Sequence, residues 1–405
     1  MKHLSIAKNT LYQVLARVVS SGTSFLIVLL IIHRFSLAYG DFAKITAYVS
    51  LFYLITDFGF NAIFLQKDDN RIRFRDLLYP RIILAGIVLI IVNALALFLP
   101  YNQLLNTGFS PMVRLGIGIF SITLFTEAIL YTCLAVFQRE LKYELFLFSK
   151  LIGGIVTLCT VGILIFTNAP LLSLLYAYVL GGIIQSITAL FLTKEHVLPA
   201  RFDAKFFAQL ARDTLPIGLM LFFNLVYARI DLFILAIYKP TADVAIYDLA
   251  YKFFDFLVAL PLFLSNSLYP MMIDSTKNNR ITTATVRKFI LLFFTLALPL
   301  VAIVWIISPF IRVIKPEFTA AALPLRILAT SLPVFFATSI LQWILIAKKQ
   351  QKKLMIVYLF ATVANILLNL YFIPLYGYVG SATITGISEA LVGIILGIIV
   401  FTRHD

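Results

Sequence analysis

Five basic side chains, Arg17, Lys44, Arg229, Lys252 and Arg326, fall inside stretches otherwise built of leucine, isoleucine, valine and phenylalanine. Six acids, Asp57, Glu127, Asp231, Asp248, Asp255 and Glu389, fall there too. A charge at the centre of an apolar membrane helix costs about 2.5–3.5 kcal/mol on insertion scales, so these groups must line a wet cavity or pair with one another. They are the positions at which a ligand contact or ion coupling is to be sought. The sum of their charges is close to neutral, so a uniformly positive cavity does not follow from the sequence.

Spacing separates their roles. Asp248, Lys252 and Asp255 stand at i, i+4 and i+7, which stacks all three on one helix face. That face is either a self-satisfied charge ladder or a substrate contact. Arg229 and Asp231 are two residues apart, hence on different faces, and cannot satisfy each other, which leaves Arg229 freer to meet a ligand. Arg17 lies about two turns inside its helix with no acid nearby, and either snorkels to headgroups or lines the cavity. Lys44 and Arg326 lie nearer helix ends, where interfacial anchoring is expected. Glu127 and Glu389 have no basic neighbour one turn away; each is a structural hydrogen-bonding group or an ion-coupling carboxyl. Asp57, in Asp57-Phe58-Gly59, either joins them as an ion-coupling candidate or ties helices together.

These side chains must be positioned by twelve strongly apolar runs: Leu11 to Ile32, Phe42 to Leu65, Leu77 to Leu99, Val113 to Phe137, Leu145 to Phe166, Leu171 to Leu192, Leu215 to Ile237, Val244 to Met271, Phe289 to Ile307, Ala322 to Ala347, Leu354 to Phe372 and Val379 to Phe401. Each is long enough to cross the hydrocarbon core, which takes about 20 residues of helix. The hydrophobic content of 61% exceeds the roughly 45–50% of a soluble domain. The expectation is an all-α polytopic membrane protein with 12 transmembrane helices.

Lysine and arginine collect in alternate gaps. Lys2 and Lys8 precede the first run, and Lys67, Arg71, Arg73, Arg75 and Arg81 cluster between the second and third. Arg139, Lys142 and Lys150, then Lys194, Arg201, Lys205 and Arg212, then Lys277, Arg280, Arg287 and Lys288, then Lys348, Lys349, Lys352 and Lys353, and finally Arg403 continue the series. The other gaps hold only Arg34, Arg114, Lys239, Arg312 and Lys315. Positive loops stay on the cytoplasmic side, so both termini are expected there. The net charge of +14 is accounted for by the inner membrane surface, where anionic lipid attracts cations, and nucleic acid is not an expected partner. The start, Met1-Lys2-His3, lacks a small-residue cleavage pattern, and the first run reads as a retained span.

The polar stretch around Thr193 to Thr214 divides the runs six and six. The expected organisation is an N-terminal lobe over 1–193, a cytoplasmic linker over 194–214 and a C-terminal lobe over 215–405. Phe202, Phe206, Phe207, Leu210 and Ala211 recur at roughly helical spacing, as in an amphipathic helix lying on the inner leaflet. Gly40-Asp41-Phe42-Ala43 and Ala245-Ile246-Tyr247-Asp248 open equivalent runs of the two halves, a weak internal repeat. Pro216, Pro261, Pro299, Pro324 and Pro333 are candidate bends, with Pro261 the first choice for a hinge.

Tyr39-Gly40-Asp41-Phe42 with Asp57-Phe58-Gly59, Phe137-Gln138-Arg139 and Tyr227-Ala228-Arg229-Ile230-Asp231 form an ordered series. Ile246-Tyr247 with Ala250, Leu260-Pro261, Tyr269-Pro270 and Pro316-Glu317-Phe318 extend it, followed by Asn365 with Asn369, Ile373-Pro374, Tyr376-Gly377 and Gly380. Over essentially its whole length the chain resembles the polysaccharide transporter family, the lipid-linked oligosaccharide flippases of the multidrug/oligosaccharidyl-lipid/polysaccharide exporter superfamily. Ala245 departs from the glycine usual there. The resemblance implies two six-helix lobes around a central cavity lined by spans one, two, seven and eight. It makes Arg17, Arg229 and Lys252 candidates for gripping a lipid-linked diphosphate, which guanidinium and ammonium groups suit, with Asp231, Asp248 and Asp255 as their charge partners.

The implied function is translocation of an undecaprenyl-diphosphate-linked repeat unit, of O-antigen, capsule or exopolysaccharide type, to the periplasmic leaflet of a bacterial inner membrane. A proton or sodium gradient would drive it, since no Gly-rich Lys-Ser/Thr nucleotide loop is present. No cofactor or metal is expected, and a glycan polymerase with chain-length machinery are the expected partners. The rival on the same fold is a cation-coupled multidrug or small-molecule exporter. A membrane-embedded enzyme is disfavoured, because the outer gaps are short and His3, His33, His196 and His404 are terminal or in gaps. Cys133 and Cys159 both lie inside runs, as packing residues.

Overall fold

The computed structural model describes residues 2–66, 74–194, 204–277, 283–348 and 350–402. Every apolar run within them is helical. The N-terminal half holds α1 (Lys2–Phe35), α2 (Tyr39–Ser50), α3 (Tyr53–Asp57), α4 (Phe60–Gln66), α5 (Phe74–Leu97), α6 (Pro111–Phe120), α7 (Thr123–Arg139), α8 (Tyr143–Phe166) and α9 (Ser173–Thr193). The C-terminal half holds α10 (Ala204–Tyr238), α11 (Thr241–Lys277), α12 (Thr283–Ile307), α13 (Ala322–Ala347) and α14 (Gln351–Phe401). By length and composition nine stretches of described residues qualify as membrane spans; one of 47 residues holds the first run and part of the second, and one of 51 residues holds the last two.

Helix breaks fall at positions other than the prolines. Pro299 and Pro333 sit inside continuous helices, as does Pro80. The second run is instead cut into α2, α3 and α4, with Phe58 and Gly59 both at positive φ (44° and 76°). The fourth run is cut at Ser121 and Ile122, and α14 carries non-helical Gly377 at φ 58°, ψ −138°. A proline costs one backbone bond and bends a helix while φ stays helical, whereas a left-handed residue reverses the chain's course outright. Where α6 begins, Ser110 caps it by accepting from the Val113 amide at 3.2 Å, with Pro111 in the first turn.

The expected surface helix of the linker begins outside the described residues, which exclude Arg201 and Phe202. From Ala204 onward its backbone is the start of α10, which runs to Tyr238. Lys67, Arg71, Arg73, Arg280, Lys349, Arg403, His196 and His404 also lie outside the described residues.

Contacts group the chain into two compact units. The first comprises Met1–Phe35, Asp41–Gln103 and Phe109–Phe222, and the second Ser36–Gly40, Leu104–Gly108 and Phe223–Asp405. In the first, α8 packs on α1 and α9, while α7 packs on α5 and α9. Its core includes Phe74, Leu78, Leu130, Val136 and Phe137. In the second, α13 is central and packs on α11, α12 and α14. Leu291, Leu292, Trp305 and Ile306 of α12 stay exposed, as does the Ile83, Ile87 and Ile90 row of α5, a lipid-facing pattern.

Within the second unit the start of α11 is clasped by the segments before α2 and α6. The Thr241 amide donates to the Asn106 carbonyl at 3.1 Å. Gly40 approaches so closely that a Cβ on it would lie 2.0 Å from the Thr241 carbonyl oxygen. Gly40→Ala is therefore expected to cost about 1–3 kcal/mol as an overpacking substitution. Thermal unfolding of the detergent-solubilised protein checks this, and an unchanged midpoint would show that the clasp yields freely.

Candidate functional site

In the first unit, Arg81 on α5 is fully buried, although hydropathy alone places it with the loop cations. Its Nη2 donates to Asp57 Oδ1 and Asn61 Oδ1, each at 2.6 Å, and its Nη1 to Thr132 Oγ1 at 3.1 Å. Its guanidinium also lies 5.5 Å from the Phe60 ring centre. Asp57 is thus paired with a cation and ties the α3–α4 break to α5, as its helix-tying alternative requires. Lys44 also departs from expectation. It is 2% exposed and pairs with Asp41 at 3.4 Å, so it is a buried partner and not an interfacial anchor.

Glu127 on α7 borders an open cavity of about 260 Å³ between helices of this unit, together with Lys150 of α8, Tyr53 of α3 and Gln185 of α9. No hydrogen bond or ion pair engages the Glu127 carboxyl among the described residues. Lys150 reaches only the Phe146 ring, 5.8 Å from its centre. Arg17 is exposed. It falls one turn before Ser20 and two before Ser24, both lining that cavity, so it stands on the same stripe of α1.

In the second unit Arg229 of α10 forms an ion pair with Asp255 of α11. Its guanidinium also stands 4.7 Å from the Tyr251 ring centre, and the Tyr251 hydroxyl is anchored on the Ala228 carbonyl at 2.8 Å. Arg229 and Asp231 do avoid each other, as their spacing requires, yet Arg229 already has an acid. The ladder on α11 is not self-satisfied. Asp248 accepts from Tyr39, Asp255 is taken by Arg229, and Lys252 between them makes no hydrogen bond or ion pair among the described residues. Lys252 is half-buried.

The remaining acids meet neutral donors. Asp231 is 2% exposed and accepts from Tyr247, from Thr385 at 3.2 Å and from the Leu232 amide at 2.7 Å. Glu389 is 3% exposed and accepts from Thr338 and from Tyr227 at 2.9 Å. Beside it the Asn365 amide donates to Ser388 at 3.0 Å, and the Asn369 amide donates to Asn365 Oδ1 at 2.9 Å. Arg326 donates to Ser308 Oγ at 2.7 Å and lies 5.2 Å from the Trp305 ring centre.

A sequence model described as polysaccharide biosynthesis protein matches residues 6–276, and one described as MatE matches residues 216–371. No curated protein sequence matches. Among solved structures, the lipid II flippase MurJ in an inward closed conformation superposes with a TM-score of 0.77 at 15% identity, covering 96% of this chain and 87% of that one. An inward-facing multidrug resistance MATE family transporter gives 0.69 at 13% identity, covering 98% and 94%. A MOP superfamily transporter from Pyrococcus furiosus gives 0.65 at 14% identity, covering 98% and 95%.

Proposed function

The chain belongs to the polysaccharide biosynthesis protein family, and from that premise we propose that it flips an undecaprenyl-diphosphate-linked oligosaccharide from the cytoplasmic to the periplasmic leaflet. It is a multi-pass membrane protein with the fold of the multidrug/oligosaccharidyl-lipid/polysaccharide exporter superfamily, whose matched families are transporters and not enzymes. The observation that carries the substrate reading is Lys252. An ammonium retained within an apolar helix, between two acids that are each engaged elsewhere, has no hydrogen-bonding or ion-pair partner among the described residues to offset its desolvation. A phosphate oxygen supplies one through a charge-assisted hydrogen bond. Arg229 adds donors beside it, for Asp255 uses only its Nη2.

Lys252→Ala is expected to lower export about tenfold, the equivalent of about 1.4 kcal/mol of lost binding, without loss of folded protein. The measurement is the amount of lipid-linked glycan on the outer leaflet of depleted cells complemented by each variant. Normal outer-leaflet glycan in depleted cells, or full export by Lys252→Ala, overturns the reading. The MatE match over residues 216–371 favours a drug exporter as the second reading. A Lys252→Ala variant that loses drug resistance while glycan export persists would establish it.

Coupling to a proton or sodium gradient is assigned to Glu389, whose carboxyl meets only neutral donors. Export that survives both an ionophore and removal of sodium would end that assignment. The glycan polymerase and chain-length machinery remain the expected partners, and the bacterial inner membrane, with both termini cytoplasmic, the expected location.

A further inference from the structure

We propose that the cavity inside the first unit is a pocket for one sugar ring of the transported glycan. The assignment rests on the flippase reading and says which part of the substrate is recognised there. Three polar heads converge on the cavity without a hydrogen-bonding partner among the described residues: the Glu127 carboxyl, the Lys150 ammonium and the Gln185 amide. All three side chains are half-buried and the fold leaves their heads accessible around one space, so a polar ligand entering it meets a carboxylate, an ammonium and an amide that no protein group among the described residues occupies.

Charge and size select what fills it. Glu127 and Lys150 line the same space yet form no ion pair with each other. A lone cation there would confront Lys150, and a lone phosphate would confront Glu127. A neutral polyhydroxyl group suits both, donating to the carboxylate and accepting from the ammonium. The volume of about 260 Å³ is many times that of a bare ion and several times the roughly 30 Å³ of a liquid water, a space suited to one ring with its substituents. Its walls set aromatic Tyr53 among hydroxyl groups such as those of Ser24 and Thr126, a lining that suits a polar ring.

The backbone keeps this space open by design of its walls. A Cβ on Gly182 would lie 2.8 Å from Thr126 Oγ1, and one on Gly153 would lie 2.5 Å from the Gln185 Cβ. Glycine at 182 lets α9 approach α7, and glycine at 153 lets α8 approach α9 while Gln185 keeps its place at the cavity. The Tyr53 hydroxyl is held by Thr123 at 2.8 Å, which fixes its ring against the opening.

The test uses membranes carrying the full chain with Cys159→Ser, which removes the exposed native thiol, and Ser24→Cys, which places one in the cavity wall. Labelling by a permeant maleimide is followed with two probes: the glycan-bearing lipid pool extracted from the same cells, and undecaprenyl diphosphate alone. At concentrations that occupy most of the protein, the glycan-bearing lipid is expected to slow labelling about fivefold or more, and the bare lipid less than about twofold. Glu127→Gln combined with Lys150→Met should abolish the difference. Equal protection by both lipids, protection by neither, or protection by a change of pH or sodium without lipid each overturns the pocket. Ser20→Cys supplies an independent wall position if Ser24→Cys does not fold. Failure of the flippase reading is read separately, from intact outer-leaflet glycan in depleted cells. A negative labelling result beside lost export sinks the pocket alone.

Discussion

Arg81→Met is expected to destabilise the protein by about 3–5 kcal/mol, because it takes the cation from the Asp57 carboxylate and a donor from each of Asn61 and Thr132. Arg81 has no exposed surface and its partners come from three different segments, Asp57 and Asn61 flanking the break and Thr132 on α7. Its removal therefore costs more than one bond. Asp57 loses its cation, and the left-handed pair Phe58 and Gly59 loses the tie that holds it to α5. Thermal or denaturant unfolding in detergent measures the loss, and the yield of monodisperse protein gives a second reading. Asp57→Asn in the same chain should recover a large part of it, since the uncompensated charge is then absent and the remaining cavity is apolar enough to be tolerated. A single substitution as mild as a surface change, or a double one no better than the single, would show that the pair is incidental.

Arg229→Ala is expected to lower glycan export about 10- to 100-fold, the range that losing one or two charge-assisted hydrogen bonds to an anionic substrate implies at about 1.5–3 kcal/mol each. The side chains of the ion pair are 22% and 38% exposed, so the pair itself is partly screened, and the cost of Arg229→Ala to folding comes from the Asp255 charge left behind. Two explanations of a dead single variant must then be separated. If Arg229 serves only to neutralise Asp255, the double variant Arg229→Ala with Asp255→Ala restores both folding and transport. If the guanidinium also grips substrate, folding returns and transport does not. The stacking of Arg229 against Tyr251 holds the planar group in one orientation, which suits a fork of donors more than a flexible ammonium. Arg229→Lys should accordingly retain less than half of the export, and full activity in that variant would contradict a bidentate role.

The near neutrality of the intramembrane charges noted in the sequence has a concrete counterpart. Asp255 takes Arg229, Asp57 takes Arg81 and Asp41 takes Lys44. Asp248, Asp231 and Glu389 are held by tyrosine and threonine hydroxyls, so the acids do not consume the remaining cations. Lys252 and Lys150 are left in different units, one beside Arg229's helix partner and one in the sugar-sized cavity.

Hydropathy in one dimension was enough to place each helix, because the bilayer demands long unbroken apolar segments whatever their neighbours are. Side-chain periodicity likewise set Asp248, Lys252 and Asp255 on one face and kept Arg229 from Asp231, since those relations involve a single helix. Partner choice was not legible, because it depends on residues far apart in the chain: Tyr39 reaches Asp248 across 209 positions, and Tyr227 reaches Glu389 across 162. Arg81 and Lys150 were assigned to the polar gaps although both lie inside apolar runs, near their ends. Composition cannot tell a charge that emerges into water from one that a neighbouring helix covers, and packing covered Arg81 completely while drawing Lys150 into a cavity. The break at Gly377 falls in the gap between the last two runs, whereas the break at Phe58 and Gly59 escaped for a related reason. A left-handed residue inside an apolar run is stable only when another helix supports the turn it makes, and that support exists in the folded chain alone.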